Sequence, residues 1–458
     1  MVFRLPYFST TLLSNAGIIS DVRSNFLILS PRMNNKEFSP IICLQNVALF
    51  IFSLFFILAI GGWLFPKFLN KIPFRLYEGV ETDSRVLAQY SKRSVLPENY
   101  IAILGDSNSV GVGDLYIDLS KSYRNWYPDY SPAHFIYKKL GIDTVSFGFA
   151  GAGNFDGIWS GPVNQFKNIN SKGFDLKPPK TILVFFYEGN DVYDNIQFVR
   201  DNLLATKKEQ IEKIETKKIK DFLNTEFEKV LNRGSNSSVW NNMLFTRSIL
   251  QGISNLAKEW RLSNKQSKRK GLYHKAMPEG KANMTLIDGR KVQLNVALMN
   301  GKKIGLPTYL QAPPQFAFSE IEKKLEMTDK SIKLSEYIFN ESVDRLASFF
   351  PRSKIKIIYI PSPVSSYHIV SSHIHYRGFM QDIHVGKTGV AERTHIKLCK
   401  TIKRFAELRE FSFVNTTKSL RQATLSGFVH GPVDWDHFNK RGYQVLSDEL
   451  VGLFSHTG

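Results

Sequence analysis

Short apolar runs, separated by stretches of helical character, constrain the fold of this chain most strongly. They are YIAIL (100–104), DTVSFGF (143–149), TILVFFY (181–187), KIKIIYI (354–360) and a weaker fifth, FSFVN (411–415). Near-continuous apolar strands that alternate with helices, such as those predicted over 332–350 and 392–410, are typical of a parallel sheet covered on both faces. We therefore predict an α/β fold, a three-layer α/β/α sandwich around a parallel sheet of about five strands.

A second constraint is the uncharged stretch VALFIFSLFFILAIGGWLF at 47–65. As a helix it is long enough to cross a hydrocarbon core about 30 Å thick. A cleaved signal peptide is the alternative, but about forty residues precede the stretch and no small-residue cleavage site follows it. A true start at Met33 would shorten that leader. We predict one transmembrane helix over 41–65, which anchors the protein in membrane lipid.

Basic residues flank this helix on both sides, so the positive-inside rule is nearly balanced. They are Arg4, Arg23, Arg32 and Lys36 before the helix, and Lys67, Lys71 and Arg75 after it. A single anchor near the N-terminus with a large domain behind it favours export of that domain. We predict a single-pass membrane protein whose main domain is extracytoplasmic.

The same patterns divide the chain into six parts. They are an N-terminal tail (1–40), the transmembrane helix (41–65), a polar connector (66–96), the first part of the α/β domain (97–200), an insertion (201–330) and the second part of the domain (331–458). The insertion has 24 Lys and Arg against 14 Asp and Glu, about half of the chain's net charge of +19. This charge indicates either a solvated helical surface, or a lid or groove for an anionic polymer. Because the basic run has little aromatic interleaving, no nucleic-acid partner is predicted.

Polar or glycine-rich motifs follow the first three predicted strands, at the sheet edge where α/β proteins bind ligands. The motif GDS (105–107) follows the first strand, GFAGAGN (148–154) the second and GND (189–191) the third. A serine at a strand-to-helix turn is well placed to be an exposed nucleophile near a helix N-terminus. The side-chain amide of Asn190 offers two N–H donors. These motifs indicate a chemical site at the carboxyl ends of the strands.

A fourth motif, DWDH (434–437), lies near the C-terminus. A carboxylate close to a histidine can fix the imidazole tautomer and support its protonated form. Asp434, three residues before His437, is the candidate, although Asp436 is close enough in sequence to be confused with it. Each motif alone is common, and their order and their positions at strand ends carry the prediction.

Together the four motifs resemble those of the SGNH hydrolases, also called the GDSL esterase/lipase family. The stretch HFNKRGY (437–443) is also similar to the family's, and the resemblance covers about 96–200 and 335–455. Asn108 stands where the family often has leucine, and Ser146 stands where it usually has asparagine.

The resemblance implies a role for each matching residue. Ser107 would be the nucleophile, His437 the general base and Asp434 the group that orients His437. The oxyanion hole would consist of the backbone N–H groups of Ser107 and Gly151 and the side chain of Asn190. Gly148 is the alternative to Gly151, which is favoured by its distance from the strand. The family chemistry needs no cofactor and no metal.

The implied function is a membrane-anchored serine esterase of SGNH type. It would remove acyl groups, expected to be acetyl, from an envelope carbohydrate or lipid through an acyl-Ser107 intermediate. One alternative is an O-acyltransferase that modifies a cell-surface polysaccharide with the same triad. A second alternative is a catalytically inactive binding module.

The segment PSPVSSYHIVSSHIHYRGF (361–379) follows the fourth strand. Its position makes Ser365, Ser366 and Tyr367 possible substrate contacts. It also contains several histidines with zinc-like spacing, namely His368, His373 and His375, with His384 nearby. No carboxylate or thiolate completes an obvious ligand set, so no metal site is predicted.

Overall fold

The structure, a computed structural model, describes most of the chain outside the N-terminal tail and the insertion. It covers residues 40–77, 80, 82–120, 126–203, 214–233, 250, 254, 283–285, 291–307, 309–314, 329–377 and 383–455. The chain divides into two units within its first helix, between Ala59 and Ile60. The predicted tail, except for its last residue, lies outside the described residues.

Helices and strands alternate through the second unit, as the apolar pattern predicts. The described helices are α1 (Pro40–Leu64), α2 (Phe74–Tyr77), α3 (Arg85–Ala88), α4 (Ser107–Val110), α5 (Asp114–Ser120), α6 (Pro132–Leu140), α7 (Gly161–Ser171), α8 (Asp191–Leu203), α9 (Thr216–Asn232), α10 (Asp329–Phe349), α11 (Pro363–Ser366), α12 (Thr388–Leu408), α13 (Thr417–Thr424) and α14 (Lys440–Ser455). The described strands are β1 (Ile101–Leu104), β2 (Thr144–Ser146), β3 (Thr181–Tyr187), β4 (Asn283–Thr285), β5 (Lys291–Gln293), β6 (Val296–Met299), β7 (Lys302–Gly305), β8 (Leu310–Gln311), β9 (Lys354–Ile360), β10 (His373–Arg377), β11 (Ile383–Lys387) and β12 (Ser412–Asn415).

The main sheet has five strands in the order β12-β9-β3-β1-β2, and every neighbouring pair is parallel. Side chains alternate between its two faces. In β3, Ile182, Val184 and Phe186 belong to one apolar cluster, and Leu183 and Phe185 belong to the other. Helices α7–α10 and much of α12 cover the first face, and α6, α13 and α14 cover the second. The predicted parallel sheet with helices on both faces is confirmed.

Smaller sheets lie outside the main sheet. Strands β8, β10 and β11 form what we call the accessory sheet, in which β10 pairs antiparallel with β11 and parallel with β8. Two antiparallel hairpins, β4–β5 and β6–β7, precede it in the chain. The alternating stretch MTLIDGRKVQLNVALMNGKK (284–303) of the insertion predicts strands joined at an Asp-Gly turn; the strands are present, and the Asp-Gly dipeptide lies outside the described residues.

Among the described helices, the first is the one long and apolar enough to cross a membrane. The candidate span, Leu44–Lys71, runs from this helix through the 3-10 helix Phe65–Lys71 that continues it and has a mean hydropathy of 2.5. The following segment, predicted as a polar connector over 66–96, contributes fully buried Leu69, Val86 and Leu87 to the core. Much of that connector is therefore part of the folded body rather than a spacer.

Candidate active site

The turn after β1 places Ser107 at the start of α4. Asp106 caps this short helix, because its carboxylate accepts a hydrogen bond from the backbone N–H of Asn108 at 3.0 Å. The side-chain amide of Asn108 donates to the same carboxylate at 3.2 Å. Asn108 therefore has a local role, which is to hold Asp106 in its cap position.

Ser107, His437 and Asp434 form a hydrogen-bonded relay. His437 Nε2 lies 2.8 Å from Ser107 Oγ, and His437 Nδ1 lies 2.7 Å from Asp434 Oδ2. Since a carboxylate only accepts, Nδ1 carries the proton in the neutral imidazole and Nε2 accepts from the serine hydroxyl. Ser107 Oγ lies farther, 3.3 Å, from Asp106 Oδ2. The His437 side chain is 22% exposed, so the relay reaches solvent.

Hydrogen bonds to backbone N–H groups hold the loop that carries the histidine. Asp434 Oδ1 accepts from the N–H of Asp436 at 3.0 Å and from that of His437 at 3.3 Å. Asp114, at the start of α5, accepts from the N–H of Val433 at 3.1 Å and from that of Asp434 at 2.5 Å. Sequence reasoning missed Asp114, although it ends the glycine-rich stretch GDSNSVGVGD (105–114) that begins with the turn of Ser107.

Each partner in the His437–Asp434 pair stabilises the charge of the other. Burial by itself lowers the pKa of His437, but the hydrogen bond and charge of Asp434, with the charges of Asp106 and Asp436, raise it above its ordinary value. Burial raises the pKa of Asp434, but the hydrogen bond and charge of His437 outweigh it and lower that pKa. The site is therefore built to support an imidazolium beside a carboxylate.

The oxyanion candidates lie in the turns after β2 and β3. Gly151 has a φ of +76°, and a side chain there would meet no atom within 4 Å, whereas a Cβ on Gly148 would lie 1.7 Å from Ser109 Oγ. Among the described residues, the N–H groups of Ser107 and Gly151 and the side-chain amide of Asn190 have no hydrogen-bond acceptor. No hydrogen bond joins Ser107 directly to Gly151 or Asn190 in the described part of the chain. The carboxamide oxygen of Asn190 is buried without a partner, a feature that calls for a functional explanation.

Backbone and side-chain hydrogen bonds bring these turns together at one edge of the sheet. The N–H of Phe149 donates to the carbonyl of Gly105 at 3.1 Å, which places the second turn against the nucleophile turn. Asp191 Oδ2 accepts from the N–H of Tyr187 at 2.8 Å and from Asn154 Nδ2 at 2.9 Å. Asp191 therefore fixes the third turn against the second.

Buried carboxyl groups lie beneath these turns. Burial raises the pKa of Asp106, against the opposing charge of His437. Burial, with the charge of Asp106, raises the pKa of Asp191 and also that of Asp194, the latter to about 7. Ionising all of these groups together is costly, because they are close to one another in a region of low dielectric constant.

Ser365, Ser366 and Tyr367, the possible substrate contacts, are buried. The Ser365 hydroxyl donates to Glu188 at 2.5 Å, and the Ser366 hydroxyl donates to a backbone carbonyl in its own turn. The Tyr367 hydroxyl accepts from the N–H of Val429 at 3.2 Å. These side chains hold loops together, and a direct contact with substrate stays a prediction that their burial does not favour.

Sequence reasoning also missed a buried polar network around Glu188. This fully buried carboxylate accepts from the hydroxyls of Tyr359 at 2.7 Å and Ser362 at 3.0 Å, and it lies 2.5 Å from His395 Nδ1. The network connects the ends of β3 and β9 to α12, and its central residue, Glu188, lies two residues before Asn190. The sequence feature that could have indicated this network is Glu188 itself, a charged residue directly after an apolar strand.

The accessory sheet contacts the catalytic loop. Arg377 Nη2 lies 3.0 Å from Asp436 Oδ1 and 2.9 Å from Asp436 Oδ2. The hydroxyl of Tyr187 lies 2.5 Å from Gln311 Oε1 and 3.0 Å from the backbone oxygen of Asp436. The two aspartates of the DWDH motif are thus separated by role, since Asp434 pairs with His437 and Asp436 pairs with Arg377.

The histidines after β9 do not form a ligand cluster in the described residues, where no group of three His, Cys, Asp or Glu side chains is placed to hold a metal ion. His375 and His384 lie on the paired strands β10 and β11, where His384 is opposite Tyr376.

Comparisons of the chain with family models, curated proteins and solved structures returned no match. The geometry of the site is therefore the basis for inferring its chemistry.

Proposed function

We propose that this chain is a serine esterase of the SGNH type, anchored in a membrane by its first helix. The observation that carries the proposal is the relay of 2.8 Å and 2.7 Å from Ser107 through His437 to Asp434. A nucleophile within hydrogen-bond reach of a base, which is in turn oriented by a third group, is the arrangement that acyl transfer requires.

In the proposed reaction, Ser107 Oγ attacks the ester carbonyl while its proton passes to His437 Nε2. Asp434 stabilises the imidazolium that forms. The tetrahedral intermediate collapses, and the leaving alkoxide takes the proton from His437 and departs as an alcohol. Water then gives a proton to His437 and attacks acyl-Ser107, which releases the carboxylic acid and regenerates the hydroxyl.

The developing oxyanion would be bound by the N–H groups of Ser107 and Gly151 and by the side-chain amide of Asn190. These donors support the proposal because no acceptor within the described residues occupies them. Loss of one such donor typically lowers the rate about 100- to 1,000-fold.

The proposed substrate is an acylated envelope carbohydrate or lipid, and the proposed acyl group is acetyl. The candidate membrane span supports a substrate at or near a membrane. We place the α/β domain on the extracytoplasmic side, where such substrates are exposed.

An O-acyltransferase is the second candidate function. The relay of Ser107, His437 and Asp434 would serve it equally well, since a sugar hydroxyl can replace water as the acceptor of the acyl group. Both candidates share the acyl-Ser107 intermediate, so they differ only in whether water or a sugar hydroxyl resolves it.

The test uses the full-length chain in detergent micelles, with a fluorophosphonate probe and p-nitrophenyl acetate. We expect the wild type to be labelled and to hydrolyse the ester, and Ser107→Ala to lose both activities, with a rate at least about 1,000-fold lower. Ser109→Ala is the matched control, because Ser109 is also buried in α4 and its hydroxyl donates to the carbonyl of Asp106 at 2.6 Å.

If Ser107→Ala is labelled and hydrolyses the ester as well as the wild type does, the proposed nucleophile is rejected. If the wild type itself is unreactive, the binding module is favoured. An acceptor oligosaccharide separates the two enzymatic functions. Acetylated sugar among the products identifies a transferase, whereas acetate alone identifies a hydrolase.

A further inference from the structure

We propose that Arg377 is a positioning residue for the catalytic histidine. Arg377 pairs with Asp436, and this pairing leaves Asp434 as the carboxylate that bonds His437. The proposal rests on the proposed function and adds to it a residue outside the four family motifs. Arg377 lies in β10, 59 positions before its partner.

The geometry of the pair shows why it matters. One guanidinium nitrogen lies within 3.0 Å of both carboxylate oxygens of Asp436, and the two side chains are only 21% and 18% exposed. A pair this shielded from water is screened less than a surface pair, and removal of one partner leaves an uncompensated charge. Asp436 is the residue directly before His437, so that charge would act on the imidazole.

Two carboxylates, those of Asp434 and Asp436, lie close to one imidazole, and Arg377 neutralises the second of them. His437 Nδ1 is held at 2.7 Å by Asp434, and this bond directs Nε2 at Ser107. An unpaired Asp436 would raise the pKa of His437 further and would compete for the imidazole proton. Arginine suits this role because it stays charged at every relevant pH and binds a carboxylate with several donors.

Arg377 acts together with its neighbour across the accessory sheet. In the parallel pairing of β10 with β8, Arg377 is opposite Gln311. Gln311 Oε1 lies 2.5 Å from the Tyr187 hydroxyl, which in turn lies 3.0 Å from the backbone oxygen of Asp436. The accessory sheet therefore holds residue 436 by its side chain through Arg377, and through Gln311 it contacts the Tyr187 hydroxyl that faces the backbone of residue 436. A displacement of this sheet would reach the catalytic histidine through one residue.

Several titratable groups face His437, Asp434 or the pair, and all of them bear on the predicted pH response. They are Asp106 on the nucleophile turn, Asp114 on α5, Tyr187 at the end of β3, Tyr309 before β8, Tyr443 on α14, and His430 and Asp434 on the loop of His437 itself. Burial raises the pKa of Asp436 as well, and the charge of Arg377 opposes that rise.

The test compares Arg377→Gln, Arg377→Lys, Asp436→Asn and the double variant Arg377→Gln/Asp436→Asn in the full-length chain. The first readout is the pH dependence of kcat/KM with p-nitrophenyl acetate. The second is an NMR titration of His437 in protein with labelled histidine, assigned with a His437→Asn variant. It reports the imidazole pKa whether or not the protein hydrolyses esters.

We expect Arg377→Gln to move the acidic limb and the His437 titration upward by roughly half to one pH unit. Arg377→Lys should shift them less, because it retains the charge. Asp436→Asn should move both downward, and the double variant should titrate close to the wild type, since it removes both charges.

An unchanged His437 titration in Arg377→Gln, with only KM raised, would assign Arg377 to substrate binding and overturn the proposal. A double variant that keeps the full upward shift would overturn it as well. If Arg377→Gln does not fold, the His437 titration in Asp436→Asn decides: an unchanged or raised imidazole pKa in that variant would overturn the proposal. A protein without esterase activity whose His437 titration responds as described would reject the proposed function and leave the positioning role intact.

Discussion

At the scale of single residues, the proposed chemistry depends on the protonation of His437. In that reaction its neutral form accepts the serine proton, so activity should rise as the pH rises through the pKa of His437. That pKa is raised because the bond and charge of Asp434, joined by two further carboxylates, outweigh the effect of burial. The acidic limb of kcat/KM should therefore lie above the ordinary histidine value of about 6.5.

Asp434→Asn should move this limb to lower pH and reduce kcat about 1,000- to 10,000-fold, because an amide neither stabilises the imidazolium nor enforces the tautomer. The measurement is a pH profile of kcat/KM for wild type and variant. Asp436→Asn, two positions away, is the comparison: it should also move the limb to lower pH, but its loss of kcat should be far smaller, because Asp436 makes no hydrogen bond to the imidazole. Equal losses in the two variants would contradict the assignment of Asp434 as the partner of His437.

Asp194 gives a second prediction, which concerns stability. Burial, with the charge of Asp106, raises its pKa to about 7, above an unfolded value of about 3.9. The folded protein therefore binds more protons than the unfolded chain between about pH 4 and pH 7, and this carboxyl lowers stability as the pH rises through that window. Asp194→Asn should raise Tm at pH 8 by several degrees and have a smaller effect at pH 5. A gain that is equal at both pH values would show that the carboxyl does not titrate as described.

At the scale of secondary-structure elements, apolar runs were sufficient to predict the main sheet. Strands β3 and β9 match their predicted ranges, because β3 is seven consecutive apolar or β-forming residues and β9 has five such residues, with its two lysines confined to the first half of the strand. The accessory contacts were not predictable in the same way. The pairing of Arg377 with Asp436 depends on how β10 packs beside the catalytic loop, and a local pattern carries no information about that packing.

The candidate site shows the same division. The resemblance to a family pointed to Ser107, His437 and Asp434, which the fold brings into contact. It singled out Asp434 as the partner of His437, but it carried no information about Asp436, whose pairing with Arg377 depends on how the loop turns. Burial placed Tyr367 among loop contacts, although its position after a strand had suggested a binding role.

The backbone at Gly113 packs closely against the loop that carries His437, so a substitution at Gly113 tests whether this contact positions the loop. Gly113 has a φ of +147°, and a Cβ there would lie 2.2 Å from the backbone oxygen of Phe438. Gly113→Ala should displace the loop beside His437 and lower kcat at least about 100-fold, since small misplacements of a catalytic group are costly. Gly141→Ala is the matched control, because Gly141 also has a positive φ, +65°, but a Cβ there meets no atom within 4 Å.

The control should lose about 1 kcal/mol of stability from backbone strain and keep its activity. The measurements are kcat with p-nitrophenyl acetate and the thermal unfolding midpoint. Wild-type kcat in Gly113→Ala would show that the loop is not seated on this glycine.

At the scale of the whole molecule, the proposed location of the protein rests on the first helix. Most of its described side chains are exposed and apolar, with Phe52 and Phe56 66% and 57% exposed. Such a surface is unfavourable in water and suited to hydrocarbon. We expect the full-length chain to stay in the membrane fraction after an alkaline carbonate wash. Joint replacement of both phenylalanines by arginine should release much of it, since each arginine costs about 2.5–3.5 kcal/mol on insertion. Joint replacement by leucine is the control and should not release it.

The side of the membrane that holds the α/β domain is tested with reporters fused to the C-terminus. Because nearly equal numbers of basic residues flank the helix, charge alone decides little, and export rests on the position of a single anchor before a large domain. Alkaline phosphatase, which is active only after export, should be active in this fusion, and green fluorescent protein, which fluoresces in the cytoplasm, should be dark. The reverse result would place Ser107 in the cytoplasm, away from any envelope polymer. It would leave the relay of Ser107, His437 and Asp434 unaffected and require an intracellular ester as substrate.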